Sequence, residues 1–305
     1  MLPRVGSRLP HPTEQRLRTR RLTPWFYILP ASVLIAFFLL YPTLRTFYLS
    51  FFDKRSIEYV GLENYSFLLT SATTRVAIRN NLLWMVVFPL TTISLGLVLA
   101  VLADKVAYER VVKSIIFMPM AISFVGAGVV WKFVYAYRAT EVAQTGLLNA
   151  IVVALGGEPV GWLLQRPWLN NLCLVVIGVW IWTGFCMTAF SAAYKNIPVE
   201  IIEAARMDGA TEWQLFWRIT VPALKATISV MTVTMMVFAL KVFDIIYVTT
   251  NGLYDTEVMA NRMYKEMFLY RSKGRASAIA IFLLVTSVII MSSNVLRQRA
   301  NREQP

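Results

Sequence analysis

Six long apolar stretches, separated by polar segments of unequal length, set the pattern of this chain. They run from Trp25 to about Leu44, Asn81 to Ala103, Ser114 to about Phe133, Leu169 to Tyr194, Ala223 to about Val248 and Ala276 to Leu296. Each comes close to the roughly 20 residues that an α-helix needs to cross the hydrocarbon layer. Their apolar residues are continuous rather than alternating, which predicts helices and argues against a barrel. Lipid leaves no other option, because only helices and closed barrels satisfy their own backbone there. The first stretch lacks the small-residue cleavage pattern of a leader peptide and is read as retained. The expected fold is an all-α integral membrane protein, a bundle of six transmembrane helices. One membrane domain covers 25–297. An Arg- and Pro-rich segment, 1–24, is expected to be a flexible cytoplasmic tail, and 298–305 a short one. No internal repeat is visible, and no connecting loop is long enough for a second domain.

Composition agrees with this reading and narrows it. The chain is 57% hydrophobic and 15% charged, against about 25% charged in soluble domains. The net charge of +13 does not point to nucleic acid, because basic residues gather at the cytoplasmic ends of membrane spans. With the N-terminus inside, Arg4, Arg8, Arg16, Arg18, Arg20 and Arg21 precede the first span. The later inside segments hold Lys105, Arg110, Lys113, Lys195, Arg206, Arg218, Lys225, Arg297, Arg299 and Arg302. This bias predicts that both termini are cytoplasmic. Cys173 and Cys186 lie thirteen residues apart in one stretch, about 20 Å along a helix, too far to bond within it. The single histidine, His11, stands in the basic tail, so no histidine base or histidine-rich metal site is available.

The most informative segment is polar and lies between the fourth and fifth spans, Lys195 to Pro222. A chain that only reversed direction would need less, and this segment is dense in helix signals. Pro198 suits a first helical turn, and Glu200 and Glu203 sit near the positive end of the helix dipole. Gly209 can take the left-handed conformation that ends a helix. Thr211 and Gln214 have capping-box spacing, so a second helix starts at Glu212. Two short helices with a sharp bend at Gly209 are expected, with Trp213, Phe216 and Trp217 able to sit at the membrane interface.

This segment contains Glu203-Ala204-Ala205, then Asp208-Gly209, then Ile219-Thr220-Val221-Pro222. It resembles the EAA loop of ABC importer permeases, where Leu usually stands in place of Val221. The resemblance extends to Tyr27-Ile28-Leu29-Pro30, Gly61-Leu62-Glu63-Asn64-Tyr65, Phe117-Met118-Pro119, Asn196-Ile197-Pro198, Thr250-Asn251-Gly252 and Gly274-Arg275-Ala276-Ser277-Ala278. These look like carbohydrate-importer permeases with the MetI/MalF-like fold, on the MalF side of the pair. The stretch Val237–Phe268 is most similar to alpha-glucoside permeases.

The resemblance implies a permease subunit of an ATP-driven sugar importer, for an oligosaccharide or glycoside handed over by an extracytoplasmic solute-binding protein. It implies a second, MalG-like permease, a cytoplasmic ABC ATPase dimer, surrounding lipid and no nucleic-acid partner. No cofactor is expected in this chain, because ATP and Mg belong to the ATPase. The sequence agrees, having no Gly-x4-Gly-Lys-Ser/Thr phosphate loop. The implied ATPase-coupling residues are Glu203, Ala204, Ala205, Asp208, Gly209 and Pro222. The implied sugar-facing positions are Met120, Phe124, Gly178, Ile181, Trp182, Met235, Ala239 and Val242. Few of these are polar, so ring stacking by Trp182 is the contribution to expect, with ordinary packing as the alternative. Lys241 and Asp244 share a helix face at i, i+3 and could pair. Alternative readings are an importer permease for another solute such as glycerol phosphate, an ion-coupled secondary transporter, a membrane enzyme, and a scaffold that only recruits a partner. The second, fourth and sixth spans hold no acidic residue, against an ion-coupled transporter. No catalytic constellation suggests an enzyme.

Overall fold

A computed structural model describes residues 26–165 and 167–302, those after 293 by backbone alone. The expected tail at 1–24, with His11 and its arginines, and residues 303–305 lie outside the described residues. Five helices are long and apolar enough to cross a membrane: Phe26–Leu49, Ala72–Ala103, Leu169–Tyr194, Lys225–Thr249 and Lys273–Ser293. The third span is a bent pair, Glu109–Ala121 and Phe124–Val134, whose axes turn by 99°. The sixth helix continues to Arg302, so the part of the expected tail at 298–302 is helical. No strand occurs among the described residues, which hold one isolated bridge, Phe52 to Tyr59.

The core is built by the second and fourth spans, with the fifth against them. Trp84, Phe88, Leu174, Ile177, Met187, Phe190 and Met235 are wholly enclosed there. Gly96 lets the second and fourth spans touch: a Cβ there would lie 2.6 Å from Cys186 Cβ. Small residues are the usual means of such approach, because lipid gives helices no hydrophobic reason to associate. Cys173 and Cys186 are both buried and free. The first span differs from the rest. None of its apolar window is enclosed, although its Tyr41–Leu49 part touches the sixth span.

Two spans are interrupted where hydropathy is continuous. In the third, a 3-10 turn, Met118–Ala121, carries Pro119. Ser123 then opens a new helix by accepting the Gly126 amide at 3.0 Å. In the fifth, the helix Lys225–Leu240 stops at Lys241 and another starts at Asp244. Asn81 of the second span makes that break tolerable. Its Nδ2 donates to the carbonyls of Ala239 and Leu240 at 3.2 and 3.0 Å. Broken helices persist at membrane depth when protein satisfies the freed groups. The break also separates Lys241 from Asp244, which no longer share a helix face, and no ion pair joins them among the described residues.

Candidate functional site

The 195–222 segment folds as its capping signals predict. Pro198 is the N-cap of the helix Val199–Met207, and Glu200 lies in its first turn. Gly209 has φ +79°, a conformation that costs an L-residue roughly 1–2 kcal/mol. The Ala210 amide reaches back to the Ala205 carbonyl at 3.0 Å, the long bond of a Schellman ending. Thr211 then opens the helix Glu212–Leu215 with a complete capping box. Its Oγ1 accepts the Gln214 amide at 3.3 Å, and Gln214 Oε1 accepts the Thr211 amide at 2.8 Å. A wide helical turn, Phe216–Thr220, follows, and Val221–Ala223, with Pro222, completes the run.

These residues present their side chains to the outside. Glu203, Ala204, Asp208, Gly209 and Pro222 are exposed and Ala205 is half-buried. Beside them Val199, Ile201 and Met207 are exposed apolar residues, Met207 at 88%. The Glu203 carboxylate makes no hydrogen bond or ion pair among the described residues. A Cβ on Gly209 would meet nothing within 4 Å, so its constraint is conformational and not spatial. The surface is a helix–bend–helix with small residues and an available carboxylate, suited to receive another protein. Trp213 and Trp217 lie edge to face at 5.6 Å and are exposed, as interfacial anchors would be.

Six of the implied substrate positions, Phe124, Ile181, Trp182, Met235, Ala239 and Val242, belong to the main apolar core. Gly178, Ile181, Met235, Ala239 and Val242 are buried. A Cβ on Gly178 would press on the Phe88 and Trp84 rings at 3.1 Å. Met120 is half-buried in the 3-10 turn at the third-span bend. Phe124 and Trp182 are half-buried and nearly parallel, with centroids 6.3 Å apart. Phe238 joins them at 5.5 and 4.9 Å, and Phe185 meets Trp182 edge-on at 5.5 Å. Sequence reasoning had not picked out Phe238, which closes the cluster. The indole N–H of Trp182 is enclosed without an acceptor, an uncommon condition that costs free energy.

Four asparagines, also missed, hold the opposite end of the bundle. Asn80 Nδ2 donates to the carbonyls of Asp255 and Glu257 at 2.7 and 2.8 Å. Asn81 Oδ1 accepts the Met259 amide at 2.8 Å. Asn170 Nδ2 reaches the Tyr254 carbonyl at 2.5 Å and Asn171 Nδ2 the Asp255 carbonyl at 3.3 Å. Their signal was available: two Asn-Asn pairs, 80–81 and 170–171, beside or within apolar stretches, where polar residues are costly.

Apolar spans joined by an exposed polar helix–bend–helix make this a multi-pass membrane protein with a structured polar segment outside the bundle. The chain belongs to the family described as binding-protein-dependent transport system inner membrane component, whose model matches residues 66–302. In that family the chain is the permease of an ABC importer and not an enzyme, and ATP hydrolysis belongs to a separate subunit. It is 55% identical over 277 residues to the osmoprotective compounds uptake permease protein GgtC of Synechocystis sp., covering 91% of this chain and 99% of that one. It is 45% identical over 283 residues to the alpha-glucoside transport system permease protein AglF of Rhizobium meliloti, covering 92% and 83%. A crystallised bacterial ABC transporter for import of the acidic polysaccharide alginate matches with TM-score 0.81 at 23% identity, covering 96% of this chain and all of that one. At that identity the match defines the fold alone.

Proposed function

We propose that this chain is one of two permeases in an ATP-driven importer of a sugar or glycoside of the alpha-glucoside type. An extracytoplasmic binding protein delivers the solute. A cytoplasmic ATPase dimer, which holds ATP and Mg, docks on the 195–222 segment. The observation that carries the reading is the exposed face of that segment: Glu203 available, Ala204 and Ala205 without bulk, and the bend at Gly209. Movement of this rigid unit is transmitted to the fourth and fifth spans, to which it is covalently joined. The docking side is cytoplasmic, and both termini are cytoplasmic, in line with the lysine and arginine bias.

One relative's name includes alpha-glucosides, which favours a glycoside over an amino acid or a metal. A second reading, a compact osmoprotective solute, is favoured by the higher identity of 55%. For a glycoside, Trp182 and Phe124 supply aromatic faces for the sugar ring. The test is uptake of radiolabelled maltose, trehalose, sucrose and glucosylglycerol by the reconstituted complex. Uptake of at least one, dependent on ATP and binding protein, is expected. A single aromatic contact is worth about 1 kcal/mol, so Trp182→Ala should lower uptake several-fold without abolishing it. Uptake of none of the four, with uptake of an amino acid, a metal or glycerol phosphate instead, refutes the sugar reading.

A further inference from the structure

The second span touches the docking segment through a charged bridge that the sequence did not announce. Lys105 follows the last turn of the helix Ala72–Ala103, and its ammonium donates to Glu212 Oε2. The other carboxylate oxygen of Glu212 receives Arg206, from Nη2 at 3.0 Å and Nε at 3.1 Å. Arg206 stands before the Gly209 bend and Glu212 after it, so their pair clamps the two short helices into one body. Lys105 then ties that body to the second span.

The neighbouring residue, Asp104, anchors the same point in the other direction. Lys113 from the start of the third span donates to Asp104 and to Ser191. Ser191 from the end of the fourth span donates to Asp104 at 2.8 Å. Glu109 receives Lys113 and Lys195, each at 2.5 Å. Residues 104–105 are therefore where the ends of three spans and the docking segment meet.

The exposures separate two roles. Lys113 and Asp104 are 16% and 8% exposed in their side chains, a partly enclosed pair that fastens the spans. Lys105, Glu212 and Arg206 are 44%, 58% and 49% exposed, where an ion pair adds little stability. Next to the bridge an apolar groove of about 650 Å³ runs between the second span, at Leu97 and Val98, and the run from Phe216 and Trp217 into the fifth span at Ile228. A contact that adds little to stability, yet spans two elements beside an open groove, fits a linkage that bears on motion.

We infer that Lys105, Glu212 and Arg206 are positioning residues for coupling, carrying movement of the docked segment to the second span. This rests on the permease reading, and the fourth and fifth spans share the task through their covalent connection. The second span packs on the fourth and fifth in the core, and its Phe88 meets Phe238 of the aromatic cluster at 5.2 Å, which gives displacement at Lys105 a packed route to that cluster.

The test uses the full complex in proteoliposomes and reads ATP hydrolysed per solute imported, with whichever of the four sugars the wild type takes up. Lys105→Glu and Glu212→Lys should each raise that ratio at least 5-fold. The full exchange, Lys105→Glu and Glu212→Lys with Arg206→Glu so that both partners of residue 212 are reversed with it, should return it to within 2-fold of wild type, and Lys105→Arg should leave it there. A merely structural role would lower uptake and hydrolysis together and leave the ratio fixed. An unchanged ratio in both single variants, or an exchange no better than either, overturns the inference. Uptake and ATPase association of the wild-type complex test the permease reading separately.

Discussion

The two ends of this bundle are built to opposite rules. At one end, the segment from Thr250 to Lys273 is locked down. Asparagines from the second and fourth spans hold its backbone carbonyls, and Glu257 pairs with Lys265 at 2.7 Å with side chains 4% and 15% exposed. Glu266, 1% exposed, pairs with Arg262 at 2.6 Å. At the other end, the 195–222 segment is held to the second span by charges in water and turns its best-formed surface outward. The contrast teaches where this protein spends stability and where it leaves a formed surface exposed. An enclosed polar network rigidifies, because any partial loss leaves unsatisfied groups in a low dielectric. A solvated bridge can be strained or broken at small cost.

That contrast makes a ranking. The largest stability loss should come from Glu257→Ala, which leaves the largely enclosed Lys265 ammonium without a counter-charge and with the Asn251 carbonyl as its remaining partner. Removing one partner of such a pair costs roughly 3–5 kcal/mol, read as a large drop in the melting temperature of the purified complex. Asn81→Leu should come next. It strands the Leu240 carbonyl and the Met259 amide, while the Ala239 carbonyl keeps the Val242 amide, at about 3 kcal/mol in all, and should speed amide exchange at 239–243 and 259. If either variant melts like wild type, the locked end is not locked.

The smallest effect should be at the solvated bridge. The hydrogen bond from Lys105, more than that from Arg206, holds the Glu212 carboxyl below its ordinary 4.5 against the opposing effect of desolvation. Since the folded value is the lower one, the bridge contributes fully above pH 4.5 and is lost only as pH falls through the folded value beneath it. Melting measured from pH 7 to 5 should therefore be equally affected by Glu212→Ala throughout, with a cost under about 1 kcal/mol. A penalty that vanishes already near pH 6 would show that Glu212 is not held by the bridge.

Much of the docking segment was legible because its signals are local. Thr211, Gln214 and Gly209 act on their own neighbours, so spacing alone foretold both helices and the bend. The spans were legible as lengths and not as continuity. Hydropathy counts apolar residues, and it passes over the third-span bend because Ser123 is only one residue in an apolar run. The fifth-span break depends on Asn81, far away in sequence, and breaking the helix there undoes the i, i+3 geometry that suggested a Lys241–Asp244 pair. Of the positions that the resemblance implies for substrate, six share the main apolar core. Their burial and the part played by Phe238 come from how three spans pack, which no window of one sequence contains.

The central claim is that the bend at Gly209 presents a docking surface whose movement drives transport. Gly209→Val tests it most directly, because a Cβ there meets no neighbour and acts only by opposing φ +79°. The measurement is ATP- and binding-protein-dependent sugar uptake by the reconstituted complex, alongside the amount of permease inserted in the membrane. The account predicts normal insertion with uptake reduced at least 10-fold. Wild-type uptake with normal ATPase association would contradict it and leave the segment a structural cap on the bundle.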